Sequence, residues 1–251
     1  MPAGGSPGGL INLIDGMSNL QQTTLDELVR RANQMTSFVS YPDRCSLWGD
    51  GRYRGNCDGR LFLGLTLRYQ PRSVADPMMG SGTTRDVIQW LNQEHGTQIA
   101  YWGGDLRSGF NLQRDQLPGK FDFIWVHPPY WNIIQYSEDS ADLSTCADYD
   151  DFRERLRRCL ARCHAALDAD GHLAVLVGDV RKRGQYFPIV RDLLCWDGEL
   201  GQVCSVLIKA QHHCQSDNRT YTGLTDARIQ HEYCVVFRKT AERTVSASKR
   251  L

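Results

Sequence analysis

The run Asp76-Pro77-Met78-Met79-Gly80-Ser81-Gly82-Thr83-Thr84 constrains this chain more than any other stretch. Ahead of it, Ser73, Val74 and Ala75 read as a short buried strand. Behind it, Arg85 to Asn92 sets Val87, Ile88 and Leu91 on one helical face. Strand, glycine turn and helix in that order are the opening of a βαβ unit. The glycines let the chain turn tightly and let a ligand approach the backbone, and the helix start offers unpaired N–H groups to an anion. A Gly-x-Gly alone is more often a turn than a binding loop.

A second stretch sharpens the reading. Phe121 to Val126 is a run of mostly apolar, β-branched or aromatic residues that stops at His127-Pro128-Pro129-Tyr130-Trp131. Proline cannot continue a central ladder, so the strand ends there. Together the two stretches resemble the amino-group DNA methyltransferases that use S-adenosylmethionine. Those enzymes pair an Asp-Pro-Phe-x-Gly-Ser-Gly-Thr-like cofactor loop with an (Asp/Asn/Ser)-Pro-Pro-(Tyr/Phe/Trp) catalytic loop. This chain departs at Met78, where Phe is usual, and at His127, where Asp, Asn or Ser is expected. The resemblance implies a Rossmann-like α/β fold of the class I methyltransferase type, a mostly parallel seven-stranded sheet with an antiparallel last strand.

At 251 residues the chain has room for one such domain. A Gly/Pro-rich arm over residues 1–20, a domain over 21–240 and a basic tail over 241–251 are expected. With 29 basic and 29 acidic residues the net charge is zero, so a nucleic-acid partner would have to be held by local basic elements. No apolar run approaches membrane-spanning length and the arm lacks the parts of a signal peptide, which leads to the expectation of a cytoplasmic protein with no membrane partner. The nine cysteines include no Cys-x-x-Cys and are expected reduced. Cys159, Cys163 and His164 share a helix with Leu156, Leu160 and Leu167, so a buried face is preferred to a metal site there. No metal is expected, and a second copy of the chain is left open as a partner.

Along the chain, Thr24-x-x-Glu27 reads as a capping box for a helix to about Ala32. Residues 41–51 form an aromatic, turn-rich loop, and a helix from Leu61 to Tyr69 follows. After His95-Gly96 comes a strand from Gln98 to Gly103, then Asp105. Beyond Trp131 an acidic run is expected to form a lid, with Asp148 capping a helix from Tyr149 to about Leu167 that exposes Arg153, Arg155, Arg157, Arg158 and Arg162. Asp168 to Gly171 is expected as a turn, Leu173 to Val177 as a strand, and Gly178 to Gly184 as a basic loop. A helix from Phe187, a strand over Gln202–Ala210, a polar linker from His212 to Gln230 and an antiparallel strand over His231–Lys239 complete the series.

The resemblance assigns roles to particular residues. Asp76, Pro77, Met78, Gly80, Ser81 and Gly82 would form the S-adenosyl-L-methionine loop. Asn56, in the segment before it, would cover the methionine end, with capping of the following helix as the competing role. Asp105 follows the glycine loop at the distance from which a Rossmann-like unit holds ribose hydroxyls, and Phe110 would pack on the adenine ring, with Asn111 at its edge, a simple turn over Ser108 to Asn111 being the competing reading. In the rigid Pro128-Pro129 loop, His127 and the Pro128 carbonyl would accept the hydrogens of a target amine and Tyr130 would stack on an extruded base, the competing reading being that His127 only packs against the strand end. Trp131, Arg181, Lys182 and Arg183 would contact DNA. The leading expectation is methylation of adenine N6 in DNA with short or relaxed specificity. Cytosine N4, an RNA substrate and a catalytically disabled nucleic-acid-binding homologue are the alternatives.

Overall fold

The element order follows from where apolar periodicity meets turn residues, and a computed structural model of the chain describes residues 20, 22–213 and 226–240. Residues 1–19 of the arm and the tail therefore lie outside the described residues, as does most of the polar linker, while Leu20 at the end of the arm is buried in the core. Helix α1 (Leu25–Asn33) begins at Thr24, whose hydroxyl accepts from Glu27 N. A two-residue strand β1 (Phe38–Val39) comes next, and then a long loop to helix α2 (Gly59–Tyr69). Strand β2 (Ser73–Asp76), helix α3 (Thr83–Glu94), strand β3 (Ala100–Gly103) and strand β4 (Phe121–Val126) follow. Helix α4 (Tyr149–Ala165) is capped by Asp148, which accepts from Asp151 N as expected.

The second half adds β5 (Leu167–Val177), a hairpin of β6 (Val180–Lys182) and β7 (Gln185–Phe187), helices α5 (Ile189–Cys195) and α6 (Asp197–Leu200), and strands β8 (Gln202–Ala210) and β9 (His231–Arg238). The sheet order is β3-β2-β4-β5-β9-β8-β1, parallel except for β9, which is antiparallel to both β5 and β8. This is a Rossmann-like, mostly parallel seven-stranded sheet with an antiparallel last strand. The seventh strand is β1, whose two residues lie parallel to β8 at the edge. No sequence pattern marks so short an edge strand.

Period-two alternation sorts the core into two layers. Phe123 and Trp125, Ala174 and Leu176, and Cys234 and Val236 pack with α1, α2 and α3 on one face. Ile124 and Val126, Leu173, Val175 and Val177, and Val235 and Phe237 pack with α4 and α5 on the other. A strand covered on both faces reads as a continuous apolar run, which is why β4, β5 and β9 were legible. Cys159 and Cys163 are buried in the second layer, and the eight described cysteines are all free.

Three expectations change. The turn at Asp168 to Gly171 belongs to β5: the strand starts at Leu167 and its register against β4 shifts between Phe121 and Phe123, with Asp170 at φ 62°. The basic loop is a β-hairpin, with Arg183 and Gly184 at its turn. The acidic lid is packed down, since Asp142, Leu143, Ser144 and Cys146 are buried and Asp142 caps a 3-10 turn by accepting from Ser144 N.

Candidate functional site

The sheet itself places the site. The chain leaves β2 for β3 on one side and returns to β4 on the other, so the strand order reverses between β2 and β4. Ligands of open α/β sheets collect at the carboxyl ends of strands at such a reversal. Val74 and Ala75 pair with Phe123 and Ile124, so Asp76 and the His127 loop leave the sheet side by side. A cleft of about 230 Å³ opens there.

One wall is the glycine loop. Pro77, Met78, Met79, Gly80 and Ser81 line the cleft, while Gly82, at φ 87°, is the N-cap of α3 just behind it. Gly80 lies at φ 55°, a conformation that favours glycine, and a Cβ there would stand 3.2 Å from the Tyr53 ring, a tight contact that Tyr53 would have to yield to. Asp76 is buried and holds the loop in shape: its carboxylate accepts from Met78 N at 3.1 Å and Thr84 Oγ1 at 2.6 Å. Burial pushes its pKa up to about 7 against the pull of those two donors.

The second wall follows β3. Asp105 lines the cleft, and its Oδ1 caps the next 3-10 turn by accepting from Ser108 N while Oδ2 pairs with Arg107. Arg107 also donates to the Gly80 carbonyl and lies over the Tyr53 ring. An ionised carboxylate has about four acceptor sites, so these bonds leave capacity for a diol. Phe110 lines the cleft edge-on to Trp102, with Asn111 beside it.

The cover is the loop before α2. Asn56 does not cap that helix; Asp58 does, accepting from Arg60 N. Asn56 instead accepts from Thr83 Oγ1 at 2.5 Å and donates to the Asp50 carbonyl. The buried Asp58–Arg60 ion pair ties the same loop down, with Cys45 N donating to Asp58 and the Arg60 guanidinium over Tyr41. Tyr53 stacks on Tyr136 across the mouth at 6.0 Å. Tyr53, Arg107 and Tyr136 carried no sequence signal, because each reaches the cleft from a loop without periodicity.

The floor is the Pro-Pro loop. His127, Pro128 and Pro129 line the cleft. His127 is half-buried at the cleft floor, and its pKa falls to about 4, chiefly by desolvation, with the Glu232 charge opposing the fall and Lys209 adding to it. Its Nε2 lies 2.8 Å from the Tyr130 hydroxyl, which donates to Glu232 Oε1 at 2.8 Å, and Glu232 Oε2 pairs with Lys209 Nζ at 2.7 Å. Sequence reasoning missed Glu232 and Lys209. The available signal was an acid in the apolar strand His231–Arg238 and a lysine in Gln202–Ala210, which the β8–β9 register sets opposite each other.

Two expected placements are corrected. Tyr130 turns inward: its hydroxyl is committed to Glu232, and its ring packs so tightly on Gly178 that a Cβ there would stand 2.9 Å from it. Tyr130 accordingly does not line the cleft where a base would enter. Trp131 is 6 % exposed, donates to the Cys146 carbonyl and packs on Phe187 and Tyr149, so it is a core residue and not a DNA contact. Lys182 sits over Trp131 and donates to Asn132, and Arg181 lies over Tyr186 near Asp226, which leaves Arg183 as the exposed cation of the trio. On α4, Arg153, Arg155, Arg157 and Arg158 pair with Asp150, Asp151, Glu154 and Glu199, as a solvated face does.

Fold and cleft define a Rossmann-like α/β protein with a cleft at the sheet's switch point. No protein-family model and no curated protein matches the chain. Among solved structures, it is similar to a candidate DNA modification methylase from Thermus thermophilus complexed with S-adenosyl-L-methionine, at 22 % identity and TM-score 0.36 over 52 % of each chain. The chain thus spans about half the length of that protein. An S-adenosylmethionine-dependent methyltransferase from Clostridium acetobutylicum matches at 8 % identity and TM-score 0.42, over 76 % of this chain and 94 % of that one. The N-methyltransferase NodS from Bradyrhizobium japonicum, in complex with S-adenosyl-L-homocysteine, matches at 12 % identity and TM-score 0.39, over 75 % and 89 %. No helix among the described residues is long and apolar enough to cross a membrane.

Proposed function

We propose that this chain is an S-adenosyl-L-methionine-dependent methyltransferase that methylates an exocyclic base amine, adenine N6 of DNA in the first instance. The observation that carries the reading is that His127-Pro128-Pro129 and the glycine loop line one cleft, so an amine acceptor site and a cofactor-shaped wall meet. The residues fit that cofactor in chemistry: carboxylates at Asp105 and Asp142 suit hydroxyls and a cation, Phe110 and Leu112 suit a flat base, and Gly80 leaves the backbone open to approach. When bound, the cofactor supplies an electrophilic methyl group on a sulfonium.

Asp105, Phe110 and the Gly80 loop would hold the cofactor, and an amine brought in line with it would shed its extra proton by way of the His127 imidazole to solvent. An aryl amine is a poor nucleophile because its lone pair is delocalised, so alignment is the largest lever available to the protein. The Pro128 carbonyl and the neutral His127 imidazole accept the two amine hydrogens, which draws electron density onto nitrogen and fixes its direction of attack. With a pKa of about 4, His127 remains an uncharged acceptor at neutral pH and places no cation beside the sulfonium. The Tyr136 ring, exposed at the mouth, offers in place of Tyr130 the flat face on which an extruded base would stack, with Tyr53 and Arg107 layered behind it.

The hairpin turn at Arg183 and Gly184 presents the phosphate contact. Cytosine N4 and RNA bases carry the same amine chemistry. Incubation with methyl-labelled cofactor and either nucleic acid, followed by digestion to nucleosides, identifies the methylated base.

A further inference from the structure

The hydrogen bonds behind His127 hold more than its position. Glu232 reaches the site because β9 runs antiparallel, so its first residues lie at the carboxyl ends of β5 and β8. There Glu232 meets Lys209 Nζ at 2.7 Å and is held ionised, its pKa drawn down to about 2 against the burial that would raise it. An ionised carboxylate only accepts hydrogen bonds. The single Tyr130 proton therefore goes to Glu232 Oε1, and the remaining partner of that hydroxyl, His127 Nε2 at 2.8 Å, must be the donor.

We propose that Lys209, Glu232 and Tyr130 are positioning residues that fix His127 as the Nε2–H tautomer, leaving the ring's lone pair on Nδ1. Charge order is thus passed from an ion pair through a phenol to the choice of acceptor atom. The other titratable groups around this chain of bonds are Cys57 and Asp58 from the cover loop, Tyr136 from the segment over the cleft and Cys234 on β9; burial raises the Cys57 and Tyr136 pKa values to about 12 and raises that of Cys234 as well, so none of these three charges at neutral pH, and Asp58 is paired with Arg60. The tautomer follows from the bonds alone. Its catalytic consequence, that Nδ1 is the nitrogen accepting from the target amine, rests on the function proposed above.

Substituting Glu232→Gln tests the order of the bonds. Lys209 still requires an acceptor, so the glutamine carbonyl faces Lys209 and its NH2 faces Tyr130. The phenol then accepts from glutamine and donates to His127 Nε2, moving the imidazole proton to Nδ1. Long-range 1H–15N NMR of ring-labelled histidine, with the His127 signals assigned by their loss in His127→Asn, reads this directly at pH 7. The expected result is an Nε2–H tautomer in the parent and an Nδ1–H tautomer in Glu232→Gln. A parent Nδ1–H tautomer, or an unchanged tautomer in the variant, would overturn the proposal.

Should Glu232→Gln not fold, Tyr130→Phe serves: the His127 Nε2–H proton is expected to exchange slowly with solvent in the parent and rapidly in the variant, and equal exchange overturns the proposal. In the methyl-transfer assay Glu232→Gln is expected to lower kcat by roughly 10²-fold, within the usual contribution of a positioned acid–base group, with KM for the cofactor little changed. Absence of methyl transfer in every form, with the tautomers as expected, would count against the proposed function and leave the relay standing.

Discussion

Thr83 Oγ1 lies 2.5 Å from Asn56 Oδ1, joining the first residue of α3 to the loop that covers the cleft. The same loop is tied a second time, where Gly49 N donates to Asp86 Oδ2. The helix that follows the glycine turn thereby holds both the turn and its cover. Asn56→Ala and Thr83→Val should each weaken cofactor binding by about 1 kcal/mol, the net contribution of a hydrogen bond. In a double-mutant cycle by calorimetry the combined loss should fall well short of the sum of the two. Strict additivity would show that the two side chains act independently.

Asp105 carries two jobs, and the choice of substitution separates them. Asp105→Ala removes the cap on Ser108 N and should cost about 1 kcal/mol of stability as well as affinity. Asp105→Asn keeps the cap and removes the charge. It should unfold near the parent's denaturant midpoint while binding cofactor about tenfold more weakly, which corresponds to roughly 1.4 kcal/mol. Parent-like affinity in the asparagine variant would reassign Asp105 to structure.

Opposing pKa shifts predict a flat pH response. The Asp76 pKa is raised to about 7, so that group contributes stability at low pH that is lost as pH rises from its unfolded value of 3.8 toward 7. The His127 pKa is lowered to about 4, so its contribution is complete above 6.5 and is lost as pH falls toward 4. The Glu232 contribution is complete above about 4.5 and does not vary in the window between pH 5 and 6.5. There the first two slopes oppose each other. Urea unfolding should find Asp76→Asn gaining stability with rising pH across that window and His127→Asn losing it, each by roughly 1–2 kcal/mol. Parallel slopes in the two variants would contradict these protonation states.

Arg183 occupies a turn position with φ 52°, followed by Gly184 at φ 80°. Two residues with positive φ linking β6 to β7 make a type I′ turn, where asparagine and glycine are preferred and an arginine is strained. Arg183→Asn should therefore hold or raise stability, by up to about 1 kcal/mol, while weakening DNA binding and lowering the salt slope by about 1. Unchanged DNA affinity would move the phosphate contact elsewhere.

How much of this was legible in the sequence depended on periodicity. The strands β2, β4, β8 and β9 and the helix capped by Asp148 were readable because apolar runs end at punctuating residues. The glycine loop and the His127 loop were readable as motifs, and the sheet reversal brings them together. Tyr130 and Trp131 were misread because an aromatic after Pro-Pro carries no mark of which way it turns. Trp131 at φ 49° and a partner 102 residues away, Glu232, decide that instead. Long-range pairing through an antiparallel strand is invisible to local pattern.

The central claim is that one cleft holds both the cofactor and the amine acceptor. Its most direct measurement uses methyl-labelled S-adenosyl-L-methionine with duplex DNA and, separately, with RNA, followed by nucleoside analysis, for the parent and His127→Ala, with cofactor binding measured in parallel. The account predicts label on adenine N6 from DNA with the parent, loss of most of that rate in His127→Ala, and equal cofactor affinity in both. Cofactor bound by the parent with no label on any nucleoside, or a His127→Ala variant as fast as the parent, would contradict it.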